Sequence, residues 1–522
     1  MLRKIKQISG LNPKDLFFCF LSALLLVLPF NNGKLWIFAW FGFVPLFFRL
    51  NNKTLKQSFL LFFITGLVFW AGVIYWLVHV TLPGTIILIL YLALYFALFG
   101  LLIRPFSRQS KPYILLFIPS VWVLLEYCRS YLMTGFPWAL LGYSQYKNLA
   151  VIQISDIAGV YGVSFLVMLV NAAIVEIIWS IRSSAWPRMR AIIILISLFL
   201  LPVLGYGYFK LIPPSLPAGE AGTIYNSSSI RISVIQGNIP QELKWNERAW
   251  DFIIDKYFRL TKEASKDKPD LLVWPEASLP VVLEDEPEYF SRVNSLAEET
   301  GIPLLLGAVT TSGSFYYNSA ILVYPGKEHF TQYNKLHLVP FGEFIPLRGT
   351  LPFLQTIVPI GDIAPGRNYT VFTLKPTYYL LPTKFSVLIC FEDLFPELSR
   401  EFVKRGANFL VNITNDAWYK KTSALEQHFQ ASVFRAVENR VYLVRSANTG
   451  ISGFIDPFGR TICLDRFRDA YYVKEINPGT GKISLYTRFG DVFVLLCGII
   501  ALIGTATIFL KARTWKKNSR CP

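Results

Sequence analysis

The chain has 522 residues, of which 53% are hydrophobic, and its mean hydropathy is +0.42, which excludes an ordinary soluble globular protein. The net charge is +17, but the lysines and arginines lie largely between apolar runs, which indicates membrane topology rather than nucleic-acid binding. The six cysteines are scattered without a Cys-x-x-Cys pair, and there are four histidines. This pattern argues against a disulfide framework, and neither a metal site nor a cofactor is expected.

Seven apolar runs precede residue 213, and several approach or exceed the ~20 residues that a helix needs to cross a membrane. The first two runs are short, so three arrangements stay open for them: tilted helices, partly interfacial helices, or a helical pair. Basic residues before the first run resemble the start of a signal peptide, but no small-residue cleavage site follows, so an uncleaved anchor is expected. The runs are Leu16–Phe30, Leu35–Phe48, Ser58–Val80, Leu82–Ile103, Tyr113–Tyr127, Ile157–Ser180 and Ala191–Ile212.

Positive charge is concentrated in alternate linkers, those that follow the second, fourth and sixth runs. Because cytoplasmic loops carry the excess of lysine and arginine, the N-terminus is predicted to be cytoplasmic and residue 213 to lie on the opposite face. A last apolar run, Val492–Leu510, precedes a basic tail and is predicted to return the chain to the cytoplasm. The charged linker residues are Arg49, Lys53 and Lys56, then Arg104, Arg108 and Lys111, then Arg182, Arg188 and Arg190.

Between residues 213 and 488, apolar runs of strand length alternate with amphipathic runs of helix length, which predicts an α/β domain. We therefore predict three parts: residues 1–212 with about seven transmembrane helices, an extracytoplasmic α/β domain over residues 213–488, and a transmembrane helix with a cytoplasmic tail over residues 489–522. The predicted strands are Ile230–Gln236, Leu271–Trp274, Pro303–Val309, Ser319–Tyr324, Phe385–Cys390, Phe409–Thr414 and Val441–Ser446. The predicted helices are Glu247–Ala264, Pro287–Glu299, Pro396–Lys404 and Ser423–Asn439.

Three segments of this domain carry residues suited to nucleophilic catalysis. Glu276 follows the strand Leu271–Trp274, Lys335 and Glu343 lie close together further along the chain, and Cys390 ends an apolar run just before a helix start. A nucleophilic thiol needs a base to take its proton and a cation or donor to hold the oxyanion. A glutamate, a lysine and a cysteine supply all three functions.

Each of these residues also has a simpler explanation. Most lone cysteines are small buried hydrophobes, so Cys390 alone is weak evidence. Glu276 could cap a helix, and Lys335 could be a solvated charge on the surface. Glu343 is close enough in sequence to Arg348 and Arg367 for an ion pair.

Five segments in order resemble the catalytic blocks of the nitrilase superfamily, which has a Glu-Lys-Cys triad. Two further segments, Val234–Trp245 and Gly135–Gln145, together with the flanking apolar runs, are similar to the apolipoprotein N-acyltransferase family, a membrane-embedded branch of that superfamily. The resemblance implies a multi-pass helical domain plus a nitrilase-like αββα sandwich. The five blocks are Trp274–Glu276, Lys335–Glu343, Cys390–Asp393, Asn412–Trp418 and Arg445–Gly459.

The resemblance also implies roles for individual residues. Glu276 would be the general base, and Cys390 would take an acyl chain from a phospholipid as a thioester. Lys335, with a backbone N–H beside the nucleophile, would hold the oxyanion. The acyl chain would then pass to the N-terminal amine of a diacylated apolipoprotein at the outer face of the bacterial inner membrane.

Four more residues are implied by the same resemblance. Glu343 and Glu392 would support the active site, and Trp245 and Phe391 would bind substrate. The family commonly has tyrosine at the position of Phe391, so the aromatic ring is kept and a hydroxyl is absent.

Several alternatives stay open from the sequence. The apolar loop between Pro340 and Gly366 either packs on the domain or forms a lid over the acyl chain. Glu126 and Arg129 either line a headgroup pocket or pair with each other. The competing functions are an amidase that uses water as acceptor and a transporter or receptor with an external ligand-binding domain. A monomer is expected.

Overall fold

The computed structural model of the protein describes residues 10–106, 114–212, 229–244, 246–327, 329–344, 363–375, 382–479 and 481–518, with side chains through residue 507 in the last range. The chain divides into two compact units. The first contains the described residues up to Ile212 together with those from Phe489 onward. The second contains the described residues between them and ends at Arg488.

The first unit is built from apolar helices. Among the described residues, seven segments are long and apolar enough to cross a membrane, so the prediction of a multi-pass helical domain is confirmed. Within the described residues of both units the α-helices are α1 Pro13–Asn31, α2 Val44–Leu50, α3 Leu55–Val73, α4 Leu82–Ile103, α5 Ile114–Tyr131, α6 Leu149–Ile152, α7 Ser155–Arg182, α8 Trp186–Leu211, α9 Gln241–Lys244, α10 Trp250–Ser265, α11 Pro287–Thr300, α12 Pro396–Lys404, α13 Ala424–Asn439, α14 Leu485–Phe489 and α15 Val492–Asn518.

Two apolar segments are not single α-helices. The second combines a 3₁₀ helix, Gly33–Trp40, with α2. The third run was predicted to continue to Val80, but α3 ends at Val73 and a short 3₁₀ helix, Tyr75–His79, follows. This tighter helix contains Trp76, which is buried with its ring 4.9 Å from that of Trp138, so packing of a large aromatic accompanies the break.

The second unit contains two six-stranded sheets within its described residues. The strands are β1 Ile230–Gln236, β2 Leu271–Val273, β3 Leu304–Ser312, β4 Phe315–Val323, β5 Thr331–Asn334, β6 Phe372–Leu374, β7 Thr383–Ile389, β8 Phe409–Thr414, β9 Tyr442–Ala447, β10 Gly453–Ile455, β11 Thr461–Cys463 and β12 Ala470–Ile476. The first sheet has the order β12-β1-β2-β3-β4-β5 and the second β11-β10-β9-β8-β7-β6. Strands β1 to β3 and β7 to β9 run parallel within their sheets.

The two sheets face each other, and helices cover their outer faces. The hydroxyl of Ser446 in β9 donates hydrogen bonds across the interface to the carbonyls of Ile235 and Val273, at 3.0 and 3.1 Å. Helices α10 and α11 bury Ile253 and Leu296 against the first sheet, while α12 and α13 pack on the second. The αββα sandwich implied by the resemblance is thus confirmed.

The predicted strands and helices of this unit are all present, with ends shifted by a few residues. Strands β5, β6 and β10 to β12 were not predicted. One boundary matters for function: Cys390 was predicted to end a strand, but β7 ends at Ile389 and Cys390 begins a 3₁₀ turn. The central part of the predicted apolar loop, residues 345–362, lies outside the described residues.

Candidate active site

Cys390 lies at the carboxyl end of the parallel strand β7, in the 3₁₀ turn Cys390–Leu394. Its φ is +52°, a left-handed conformation that is uncommon for residues with a side chain and occurs often at functional sites. Pro396 then opens α12, as predicted. The residue is 8% exposed, so the thiol is almost entirely enclosed.

Glu392 holds this turn through its side chain. One carboxylate oxygen accepts the backbone N–H of Ile389 at 2.7 Å. The other accepts the Tyr333 hydroxyl at 2.7 Å and the backbone N–H groups of Leu336 and His337 at 2.6 and 3.1 Å. Burial raises the pKa of Glu392 to about 7, against the opposing effect of these donors. Glu392 therefore ties the cysteine turn to the segment that carries Lys335.

Glu276 follows β2 and has a fixed orientation. Its two carboxylate oxygens accept hydrogen bonds from the Asn318 side chain and from the backbone N–H of Asn415, each at 2.9 Å. Lys335 Nζ lies 3.5 Å from the same oxygen that Asn318 contacts. Glu276 is 7% exposed, so these contacts form in a largely desolvated place.

Lys335 is 1% exposed, which excludes the reading as a solvated charge. Its ammonium lies 3.0 Å from a carboxylate oxygen of Glu343, so Glu343 forms an ion pair with this lysine. Burial alone would lower the pKa of Lys335, but the negative charges of Glu343 and Glu276 outweigh burial and raise it. The lysine is therefore held in its charged form, as an oxyanion-stabilising group requires.

The thiol is neutral at rest. Burial, reinforced by the charge of Glu276, raises the pKa of Cys390 well above its usual value, and Lys335 only partly opposes this. Because the thiolate is the nucleophile, reaction requires a base at the moment of attack. Glu276 is the carboxylate whose charge acts most strongly on the thiol.

A buried polar network lies behind the nucleophile. His428 Nε2 is 3.2 Å from the carbonyl oxygen of Cys390 and 2.9 Å from Asp393, while its Nδ1 is 2.8 Å from Asp416. Arg445 donates to both aspartates at 2.9 and 3.0 Å. Burial opposes charge on His428, but the two carboxylates raise its pKa to about 9. The network fixes the backbone of the cysteine turn.

Two predicted substrate-binding residues have different outcomes. Trp245 lies outside the described residues. Phe391 is buried, and its ring packs edge-on against Phe395 at 5.3 Å and lies 6.1 Å from the ring of His337. It therefore contributes to the aromatic wall next to the nucleophile.

Sequence reasoning missed Asn318 and Lys244. Asn318 in β4 donates to both Glu276 and Glu343, at 2.9 and 2.7 Å. Lys244 in α9 is fully buried and donates to the backbone carbonyl of Glu276 at 2.8 Å. Asn318 is an isolated asparagine in a strand, and no sequence pattern indicates its role. Lys244 lies in the segment Val234–Trp245, whose resemblance to the family could have drawn attention to it.

In the first unit, Glu126 and Arg129 contact the backbone of one loop. Arg129 donates to the carbonyls of Phe136 and Trp138, both at 2.7 Å, and Glu126 accepts the N–H of Leu141 at 2.6 Å. Both residues also line a mostly apolar cavity of about 20 Å³. Both residues therefore anchor the loop, while the headgroup pocket and the mutual pair stay predictions for them.

Known protein families match parts of both units. Residues 22–173 match the family described as "Apolipoprotein N-acyltransferase N-terminal domain", and residues 231–480 match "Carbon-nitrogen hydrolase". The sequence is 39% identical to the apolipoprotein N-acyltransferase of Geobacter metallireducens, covering 97% of each chain. It is 30% identical to that of Shewanella oneidensis, covering 96% of this chain and 97% of the relative.

Among solved structures, an amidase from Nesterenkonia sp. is 20% identical and superposes with a TM-score of 0.38, covering 52% of this chain and 98% of that chain. The two matching families span the helical unit and the α/β unit in the order in which they occur here. The alignments with the two apolipoprotein N-acyltransferases cover nearly the whole of this chain and of each relative. The chain therefore belongs to the apolipoprotein N-acyltransferase family, membrane enzymes of N-acyl transfer within the carbon-nitrogen hydrolase superfamily.

Proposed function

We propose that this enzyme transfers a fatty acyl chain from a membrane phospholipid to the N-terminal amine of a diacylglyceryl-cysteine apolipoprotein, through a thioester on Cys390. The observation that carries the proposal is a buried cluster, in which Glu276 and Lys335 lie 3.5 Å apart and the Glu392 carboxylate joins the Cys390 turn to the backbone next to Lys335. A carboxylate, a cation and a thiol are the groups that acyl transfer through a thioester needs. Membership of the N-acyltransferase family supports the same chemistry.

In the first half-reaction, Glu276 accepts the thiol proton and Cys390 Sγ attacks the carbonyl carbon of a phospholipid ester. The carbonyl oxygen becomes an oxyanion, stabilised by Lys335 and by a backbone N–H beside the nucleophile. When the intermediate collapses, the ester C–O bond breaks and the leaving alkoxide takes the proton from Glu276. Lysophospholipid departs, and the acyl chain stays on sulfur.

In the second half-reaction, the α-amine of the diacylated acceptor attacks the thioester carbonyl. Glu276 takes the amine proton, the C–S bond breaks, and the proton returns to the sulfur of Cys390. An ester is exchanged overall for an amide by way of a thioester, and this net exchange is downhill and needs neither ATP nor a cofactor. The expected kinetics are ping-pong.

Two sets of residues support this chemistry in the proposal. Glu343 and Glu392 hold the lysine and the cysteine turn, in keeping with their contacts to Lys335 and to the N–H of Ile389. Trp245 and Phe391 contribute to substrate binding, Phe391 as an aromatic surface without a hydroxyl.

We further propose that the enzyme lies in the bacterial inner membrane, with residues 213–488 on the outer face and both termini in the cytoplasm. The alternating basic linkers support this orientation. A phospholipid donor and an exported acceptor meet at that face. The transmembrane segments flanking the α/β domain favour a monomer.

Intact mass spectrometry of the purified protein with phospholipid alone tests the proposal. We expect a mass gain of one fatty acyl chain, absent in Cys390→Ala and discharged by a diacylated lipopeptide with release of the N-acylated product. Glu276→Gln is expected to form the adduct about 10²–10⁴-fold more slowly, with exposed Glu284→Gln as the matched control.

Two outcomes would contradict the proposal. An adduct discharged by water and not by the lipopeptide amine would identify a lipid hydrolase that uses the same catalytic residues. A folded protein that forms no adduct with any phospholipid would remove the lipid ester as acyl donor.

A further inference from the structure

A second buried lysine belongs to the surroundings of the catalytic cysteine. Lys244 is fully buried, and its ammonium donates a hydrogen bond to the backbone carbonyl of Glu276 at 2.8 Å. No carboxylate of the described residues lies within ion-pair distance of it. A buried charge without an ion-pair partner is costly, and the hydrogen bond to one carbonyl offsets only part of that cost. Packing alone therefore does not explain why the charged side chain of Lys244 is buried.

The charge of Lys244 acts on the reacting groups. Burial lowers the pKa of Lys244 to about 8, while the charges of Glu276 and Cys390 raise it. Glu276 follows β2 and Cys390 follows β7. Because an electrostatic interaction is mutual, a charged Lys244 favours the ionised thiol in turn. Lys335 is then one of two cations that offset the carboxylates when the thiolate forms.

The short helix that carries Lys244 is linked to the base at both of its ends, directly at Lys244 and through Asn415 at Gln241. Gln241, at its start, accepts a hydrogen bond from the side chain of Asn415 at 2.8 Å, and the backbone N–H of Asn415 donates to the Glu276 carboxylate at 2.9 Å. Lys244, at its end, holds the Glu276 carbonyl. Helix α9 thereby fixes both the backbone and, through Asn415, the side chain of the base.

We infer that Lys244 is a positioning residue for the acylation step, in which its ammonium fixes the backbone of Glu276 and its charge favours the Cys390 thiolate. This inference rests on the proposed function, in which that thiolate attacks the lipid ester. Lys244 does not touch substrate; it acts through Glu276 and Cys390.

The test is the rate at which iodoacetamide alkylates Cys390 in the full-length protein in detergent, followed from pH 6 to pH 10 by mass mapping of the Cys390 peptide. Lys244→Met removes the charge and the hydrogen bond, Lys244→Gln keeps a donor without charge, and Lys244→Arg keeps the charge. Lys262→Met is the matched control, since Lys262 forms a surface ion pair with Glu299. The unfolding temperature of each variant is measured alongside.

We expect Lys244→Met and Lys244→Gln to slow alkylation at pH 7 by about tenfold or more, the effect of one pKa unit on the thiol, and to shift the rate profile to higher pH. Lys244→Arg is expected to recover most of the rate, and Lys262→Met to match the unaltered protein. An unshifted profile in the uncharged variants, or a rate that falls equally at every pH, would overturn the inference. Failure of the unaltered protein to form an acyl adduct would overturn the proposed function instead, while the alkylation rates would still decide the role of Lys244.

Discussion

The hydroxyl of Tyr333 donates a buried hydrogen bond of 2.7 Å to Glu392. Tyr333 lies in β5 of the first sheet, and Glu392 lies in the turn that follows β7 of the second. The contact therefore joins the segment leading to Lys335 with the turn that carries Cys390. The relative position of cation and nucleophile depends on this contact between the two sheets.

Glu392→Gln should disrupt this connection although it preserves the shape of the side chain. The carboxylate accepts four donors, whereas the amide NH₂ of glutamine would face an N–H or O–H donor. We expect a loss of about 1–3 kcal/mol in stability and a loss of thioester formation larger than that stability loss explains. Thermal unfolding and acyl-adduct formation measure the two effects.

Tyr333→Phe is the matched milder change, because it removes one of the four donors. It should retain more activity than Glu392→Gln. Equal activity of Glu392→Gln and the unaltered protein would show that the contact is dispensable.

Asn318→Asp should be more harmful than Asn318→Ala. The Asn318 amide bridges the carboxylates of Glu276 and Glu343, and a third carboxylate there would repel both of them and the thiolate that must form nearby. We expect acyl-adduct formation to fall about tenfold or more in Asn318→Asp relative to Asn318→Ala. An Asp variant as active as the Ala variant would show that the bridge has no electrostatic role.

Gly307→Ala should displace Glu276, the proposed base, through its backbone. A Cβ at Gly307 in β3 would lie 2.6 Å from the Ala277 nitrogen and 2.7 Å from the Glu276 Cα, and backbone atoms cannot move aside as a flexible side chain can. We expect about 1–3 kcal/mol of destabilisation and slower thioester formation. Gly205→Ala, in α8 with nothing within 4 Å of the added atom, is the control. Unchanged kinetics in Gly307→Ala would mean that the base tolerates displacement.

The stability of the protein should decline as the pH rises from about 6.5 to about 9. The pKa of His428 is raised to about 9 because Asp393 and Asp416 outweigh burial. When folding raises the pKa of a group, protonation of that group stabilises the folded protein. This stabilisation is complete at a pH below the pKa of the group in the unfolded chain, and it is lost as the pH rises through the pKa of the group in the folded protein. For His428 it is on the order of 3 kcal/mol.

His428→Gln should therefore be most destabilised relative to the unaltered protein near pH 6.5, and the difference should shrink toward pH 9.5. Unfolding temperatures of both proteins in one detergent across this range provide the measurement. A difference that is independent of pH would indicate a neutral histidine.

The parts of the fold that could be predicted from sequence have local causes. Strands β7 and β8 are rich in apolar residues because both of their faces are buried, and α12 begins at a proline. Strand β12 could not be predicted in this way. Its residues are mostly half-buried, and it is held by antiparallel pairing with β1, more than 200 residues away in the chain.

Some residues of the candidate site could be predicted from sequence and others could not. Glu276, Lys335 and Cys390 stand out because their residue types and motifs match a known catalytic set. Asn318 and Lys244 matter because of what they contact, and those contacts arise from tertiary packing across separate segments. Hydrogen-bond partners of this kind leave no periodic or compositional pattern in the sequence.

The left-handed backbone of Cys390 restricts which replacements this position can accept. A β-branched side chain is a genuine outlier at a φ of +52°, so threonine is disfavoured here and serine is the hydroxyl nucleophile that the turn could carry. Glycine adopts this conformation without steric cost, whereas alanine retains the strain. A substrate-trapping enzyme meant to hold donor or acceptor without turnover is therefore better made with Cys390→Gly than with Cys390→Ala.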